Sequence, residues 1–177
     1  GLPLHDNDNM LGYNGTLAGF GVSIAYVNGG AGGKDGAASD SSWAVTYDGL
    51  MDGLELGVGQ GENGTTQDLS TIYAKYTAGS ITVGYQISEV DNTGTTADEE
   101  STHIGASIAV NENLSVSAGR FEVDMGAGTV DEESTGFSAS YTMGSTTIGF
   151  VANSTENVAG TAASDDSYRE IAVSFAF

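Results

Sequence analysis

The chain has 177 residues, with 24 acidic side chains against 4 Lys and Arg, a net charge of −20 and no cysteine. This balance excludes nucleic acid as a partner, because no basic footprint is present to displace counterions from phosphates. The absence of cysteine excludes disulfides and thiolate metal sites. No apolar run reaches the roughly 18 residues of a transmembrane helix, a test that does not detect membrane-spanning strands.

Residues 1–9 are polar and irregular, and from Met10 onward one unit repeats: a strand, a short turn, a second strand and a long polar loop. In each predicted strand, apolar residues alternate with small or polar ones, the period of a strand with one apolar and one wet face. The last strand shows the pattern clearly, since Ile171, Val173, Phe175 and Phe177 fall on one face. The sequence therefore predicts a single all-β domain over 1–177, an antiparallel transmembrane β-barrel with eleven strands in this chain.

The predicted connections alternate in length along the chain. Short turns are expected at 14–19, 48–53, 78–80, 111–113 and 143–145, and long loops at 28–41, 61–68, 90–100, 124–134 and 155–166. The turns at 14–19 and 48–53 match in length and place, which indicates an internal repeat. One short end and one long end is typical of an outer-membrane barrel.

One predicted strand departs from the alternation. Arg120 falls on the side of Leu114 and Val116, whereas Phe121 changes sides. A β-bulge near Gly119 would explain this change, and so would a strand that has left the bilayer by Arg120. The bulge is the interpretation favoured here.

The sequence resembles a known family. The segments that carry the resemblance are Tyr13-Asn14-Gly15 with Leu17, Gly19 and Phe20, a second copy from Tyr47 to Leu56, and the terminal Ser174-Phe175-Ala176-Phe177. They look like the sixteen-stranded porins of Gram-negative bacteria, most closely the alphaproteobacterial, Rhodobacter-type branch. An odd antiparallel set cannot close on itself, so the resemblance implies that this chain is the C-terminal part of a porin, from about the sixth strand.

The resemblance implies a location and partners. We expect the cell outer membrane of a Gram-negative bacterium, a homotrimer, contacts with outer-membrane lipid and lipopolysaccharide, and a missing N-terminal segment of the same barrel. Arg169 shares the lipid side just above Ile171 and is a candidate contact for lipopolysaccharide phosphate. By position in the family, 1–9 is the end of an inward-folded constriction loop, and Asp6 and Asp8 are the constriction residues.

The expected function is passive diffusion of small hydrophilic solutes and ions, with a cation preference that follows from the acidic balance. Strand parity directs a set of polar side chains toward the water-filled interior. The predicted pore-lining residues are Glu55, Tyr73, Lys75, Gln86, Ser107, Asn153, Tyr168 and Glu170. A substrate-specific outer-membrane channel and a soluble acidic β-sandwich or adhesin are the alternatives.

No enzymatic site is predicted, because His5 and His103 lack a nucleophile and an acid in a recognisable arrangement. No cofactor is required. Calcium is the favoured candidate metal, since it accepts several oxygen ligands in flexible geometry. Either Ca²⁺ or Mg²⁺ could bridge the acidic loops to one another or to lipopolysaccharide phosphates. The candidate ligands are the acidic loop clusters Asp98, Glu99, Glu100, Asp131, Glu132, Glu133, Asp165 and Asp166.

Overall fold

The structure, a computed structural model, describes residues 10–27, 39–64, 66–94, 96–126 and 129–176. Within these ranges the chain forms eleven strands. They are β1 (Met10–Leu17), β2 (Phe20–Val27), β3 (Asp40–Tyr47), β4 (Leu54–Asn63), β5 (Gln67–Ala78), β6 (Ile81–Asn92), β7 (Glu99–Ala109), β8 (Leu114–Asp124), β9 (Glu132–Met143), β10 (Thr146–Glu156) and β11 (Asp166–Phe175). A single 3-10 turn, Val158–Gly160, precedes β11.

All eleven strands belong to one sheet whose order is the order of the chain. Every strand is antiparallel to the next, as strands joined by hairpins must be. Within the described residues β1 pairs only with β2, and β11 only with β10, so the sheet is not closed. The predicted strand number and the all-β antiparallel architecture are confirmed.

The two faces of the sheet differ in chemistry, and direct cross-strand partners share a face. Partners such as Phe150 and Ile171, or Ile148 and Tyr141, continue one apolar face from strand to strand. Aromatic side chains meet on it: the rings of Phe20 and Tyr47 stack with centroids 4.6 Å apart. The opposite face, here called the polar face, carries mainly Gly, Ser, Thr and charged side chains.

The apolar face is exposed. Leu11 retains 75% of its accessible surface, Ile171 72% and Ile72 58%, whereas Val123 is the one buried hydrophobic side chain in the described part of the chain. A water-soluble sheet would cover such a face with a second layer. None of the described residues supplies that layer, so the apolar face is suited to lipid.

The predicted connections need two corrections. β1 continues to Leu17, because its residues pair with β2 as far as Phe20, so the turn is only 18–19. The predicted long loop at 61–68 is mostly strand, since β4 runs to Asn63 and β5 begins at Gln67. Glu62 and Asp68 are direct cross-strand partners there, and their polarity made a solvated strand end look like a loop.

The predicted bulge near Gly119 is also wrong. β8 pairs without interruption with β7 and with β9, and Gly119 lies opposite Gly105 on one side and Gly136 on the other. Arg120 therefore points to the apolar side of a regular strand. The alternative, in which the strand has left the hydrocarbon layer by Arg120, fits the observed register.

The loops at the long-connection end contact one another. Thr93 N–H donates to the carbonyl of Thr66 at 2.9 Å. Gly126 lies so close to Ala97 that a Cβ added to this glycine would be 2.7 Å from the alanine Cβ. The side-chain amide of Asn157 donates to the backbone carbonyl of Asp131 at 3.1 Å. These contacts join successive loops into one connected rim.

Among the described residues, no helix is long and apolar enough to cross a membrane.

Candidate functional site

The predicted pore-lining side chains lie together on the polar face. Glu55 is the direct partner of Lys75, Tyr73 of Gln86, and Asn153 of Tyr168. Ser107 is two residues from Gly105, which is on this face, and Glu170 is two residues from Tyr168. Because side chains two residues apart in a strand share a face, Ser107 and Glu170 are on the polar face as well. Strand parity thus assigned all eight residues to a common surface.

A row of cross-strand partners crosses this face. It runs Glu55, Lys75, Gly84, Gly105, Gly119, Gly136, Asn153 and Tyr168, one residue from each of strands β4 to β11. Four adjacent glycines leave a side-chain-free groove, which lies within two open cavities of about 590 and 510 Å³. Residues beside the groove include Gln86, His103 and Phe121 on one side and Ser107 and Ser117 on the other. The glycine row was not predicted, although the register of the alternating strands contains it.

One carboxylate binds two neighbours at the end of this row. Glu55 accepts a hydrogen bond from the Tyr73 hydroxyl at 2.9 Å and an ion-paired one from Lys75 Nζ at 3.0 Å. The Tyr73 ring lies over Gly57, its direct partner, where an added Cβ would overlap the ring. This glycine lets the aromatic side chain lie flat against the wall.

Hydroxyl pairs extend across the polar face. Their oxygens lie 2.7 Å apart in Ser117–Ser138 and Ser134–Thr155, 2.9 Å in Thr71–Ser88, and 3.0 Å in Thr77–Thr82 and Thr142–Thr147. Each pair spans two neighbouring strands and stabilises their register. A hydroxyl oxygen has two lone pairs, so it can accept a further hydrogen bond while it is paired, as Ser88 does from the Gln86 side-chain amide at 3.0 Å. These pairs were missed, because a sequence does not reveal which Ser and Thr stand opposite each other.

The charges of the polar face are unbalanced. In the described strands the positions on this face hold six carboxylates and one lysine. These residues are Asp40, Glu55, Glu99, Glu132, Asp166 and Glu170, with Lys75. The Tyr168 hydroxyl donates to Glu170 within β11. The net charge of the polar face in the described strands is therefore negative.

An ion-pair cluster marks the outer end of the apolar face. Arg120 Nη2 lies 2.6 Å from a Glu122 carboxylate oxygen and 2.7 Å from one of Glu133. Further carboxylates occupy the same face toward the long loops, among them Glu62, Asp68, Glu89 and Asp91. An isolated charge would be costly in hydrocarbon, so this polar belt lies at the water boundary.

Three of the candidate calcium ligands each accept a hydrogen bond from a different backbone N–H. Asp98 accepts from the Asn92 N–H at 2.8 Å, Glu132 from the Ala159 N–H at 2.7 Å, and Asp165 from the Asn157 N–H at 3.2 Å. In the parts of the chain that the structure describes, no three His, Cys, Asp or Glu side chains come together where they could hold a metal ion. Calcium binding thus stays a prediction, and a calcium titration of the thermal stability checks it: a saturable rise supports it, and no rise contradicts it.

The remaining predicted site residues are Asp6 and Asp8 of the constriction, which lie outside the described residues, as do His5 and Phe177. His103 is on the polar face, with its ring 4.2 Å from that of Phe121. No nucleophile is hydrogen-bonded to it in the described structure. Phe121 was noticed in the sequence only as an interruption, whereas it is an apolar surface beside the groove.

Comparisons with known proteins agree with this architecture. Residues 3–177 match the family of Gram-negative porins. Among solved structures, the anion-selective porin from Comamonas acidovorans is similar, with a TM-score of 0.78 and 16% sequence identity over 96% of this chain and 59% of that chain. The chain thus spans about three fifths of the length of that porin. No curated protein sequence matches it.

The family match covers residues 3–177, and the structural match covers 96% of the chain. The match contradicts the alternative of a soluble sandwich or adhesin, and it points to a family of channels rather than enzymes. The exposed apolar face and the groove-bearing polar face are typical of the wall of a membrane-spanning β-barrel. This chain belongs to the Gram-negative porins, the β-barrel proteins of the outer membrane.

Proposed function

We propose that the protein is a passive diffusion pore for small hydrophilic solutes and ions, with the polar face as the wall of a water-filled lumen. The observation that carries this proposal is the separation of chemistry between the faces: Ile171 and Leu11 are among the most exposed side chains, while Glu55 and Lys75 lie on the other side. Solutes would be selected by size and by the electrostatics of the wall, without turnover.

The preferred ions are cations in this proposal. Six carboxylates against one lysine on the polar face support it, and that lysine is already paired with Glu55 at 3.0 Å. The porin from Comamonas acidovorans is named as anion-selective, but at 16% identity it is a guide to the fold alone.

Planar-bilayer recordings of the full-length protein under a tenfold gradient of potassium chloride test both parts of the proposal. We expect channels whose reversal potential has the sign of cation selectivity, and a permeability that falls steeply with the size of neutral sugars. A reversal potential of the opposite sign contradicts the cation preference. The absence of conductance from correctly folded protein contradicts the pore.

The assembly belongs to the proposal as well. We propose that further strands of the same polypeptide pair with β1 and β11 to complete a sixteen-stranded barrel, and that three barrels associate in the lipopolysaccharide-containing membrane. The Rhodobacter-type subfamily is part of this proposal. The intact mass of the mature protein and its mobility as a heat-sensitive trimer in gels test these points. A mature subunit near 17.9 kDa contradicts the larger barrel.

A further inference from the structure

Lys75 is the single lysine on the polar face of the described strands. The contact that orients its ammonium group comes from the neighbouring strand on one side, β4. Its ammonium lies 3.0 Å from Glu55, its direct partner on β4. The same carboxylate also accepts from Tyr73 at 2.9 Å, so two side chains of β5 hold Glu55 in place. Both side chains remain accessible to solvent, with 46% exposure for Lys75 and 34% for Glu55.

The opposite side of Lys75 offers no obstacle. Its direct partner on β6 is Gly84, followed across the sheet by Gly105 and Gly119. A Cβ built at Gly84 would meet only a backbone oxygen, 3.9 Å away. Neighbouring strands are about 4.8 Å apart, so a lysine side chain turned away from Glu55 would extend over at least one of these glycines.

Other carboxylates are poorly placed to replace Glu55. The remaining carboxylates of the polar face lie at the strand ends near the long loops or on the last strand: Asp40, Glu99, Glu132 and Asp166 each begin a strand, and Glu170 is on β11. The direction of the Lys75 ammonium therefore depends on Glu55 in the described part of the wall.

From this geometry we propose that Glu55 is a positioning residue for ion selectivity and pore width: it holds Lys75 along the wall, away from the glycine groove. This deepens the proposed function and rests on it. With Glu55 in place the pair is locally neutral, and the more distant carboxylates determine the sign of the potential. Without it, a positive charge on a long side chain enters the groove, where it repels cations and narrows the path.

The experiment uses the full-length protein in planar bilayers, with Glu55→Gln, Lys75→Gln and the double variant. We expect Glu55→Gln to lower the cation-to-anion permeability ratio about ten-fold at low salt, because one unit charge about 6 Å from the ion in water changes the occupancy of cations and of anions about three-fold each, in opposite directions. Lys75→Gln is expected to raise the ratio by a similar factor. The double variant, which has the same net charge as the wild type, should restore both the ratio and the single-channel conductance.

Conductance distinguishes a repositioned lysine from a change in net charge alone. Glu170→Gln, which removes one charge but frees no lysine, sets the change in conductance expected from the lost charge alone, and Glu55→Gln should reduce conductance further than that. Glu55→Asp should restore most of the wild-type behaviour. A Glu55→Gln channel whose conductance and permeability ratio both equal those of Glu170→Gln overturns the proposal.

Failure of the broader function is separable from failure of this inference. If the wild-type pore prefers anions, the proposed cation preference is wrong, yet the direction of each shift between variants still tests the role of Glu55. Trimer mobility in gels, measured for every variant, confirms that each channel is folded before its conductance is compared.

Discussion

The clearest prediction concerns two neighbouring residues on opposite faces of β9. Ala139 is on the apolar face between Val116 and Phe150, whereas Ser140 is on the polar face between Ser115 and Gly149. We predict that Ala139→Arg strongly destabilises the membrane-inserted protein and that Ser140→Arg does not. Neither change removes a large buried side chain, so the face that receives the guanidinium is the main difference between them.

The magnitude follows from the position of Ala139 along the strand. Ala139 is four positions along the strand from Thr135 at the polar belt and five from the turn at Gly144. At about 3.3 Å per residue and a tilt of about 40°, these spans correspond to roughly 10 and 13 Å along the membrane normal. Ala139 is thus near the middle of an apolar band about 25 Å tall, where an arginine costs about 2–4 kcal/mol. That corresponds to a change of about 30- to 700-fold in the folded-to-unfolded ratio.

The assay is reversible unfolding of the full-length protein in lipid vesicles, titrated with guanidinium chloride and followed by tryptophan fluorescence and heat-sensitive gel mobility. For Ser140→Arg we expect a change of no more than about 0.5 kcal/mol, as for an accessible polar surface. Equal losses for the two variants, or a larger loss for Ser140→Arg, would refute the assignment of the faces.

Three further predictions test local features. Gly57→Val should cost about 1–3 kcal/mol in the same unfolding titration, because the added side chain overlaps the Tyr73 ring. Glu132→Ala removes the acceptor of the Ala159 N–H and should increase amide hydrogen exchange at that position about tenfold, measured by mass spectrometry. Arg120→Met leaves its two carboxylate partners facing each other and should lower stability by about 1 kcal/mol, a loss that high salt reduces.

Matched variants control these experiments. Gly149→Val is the control for Gly57, since a Cβ at Gly149 meets nothing within 4 Å, and an equal loss there would contradict the clash. Glu156 is a carboxylate of β10 on the face of the sheet opposite to Glu132. Glu156→Ala should therefore leave amide exchange at Ala159 unchanged. For Arg120→Met, a loss of stability that persists in high salt would show that charge repulsion is not its cause.

The alternating positions predicted much of the fold, because period-two patterning fixes which side chains share a face. Eight polar residues from Glu55 to Glu170 were assigned to one face without any knowledge of register. The strand ends were harder. Glu62 and Asp68 are strand residues beyond the lipid, where polarity no longer alternates, and the sequence there looks like a loop.

The partners of a given side chain were not predictable in the same way. That Glu55 faces Lys75, or that four glycines stand in one row, depends on the relative shift of neighbouring strands. Turn lengths set that shift, and two turns or loops were predicted with the wrong length. β8 gave the opposite error. Its Arg120 and Phe121 suggested a bulge, but the strand is regular, and what changes at Arg120 is the surrounding medium, from lipid to water.

The connected rim of loops has a consequence for recognition from outside the barrel. The surface around Thr66, Thr93 and Gly126 combines residues from separate hairpins, and Asp131 and Asn157 join two more. An antibody or phage protein that binds this rim would contact a composite epitope that exists only in the folded sheet. A synthetic peptide copied from any one loop would lack the neighbouring loops that fix its conformation, and we expect it to bind such a molecule weakly.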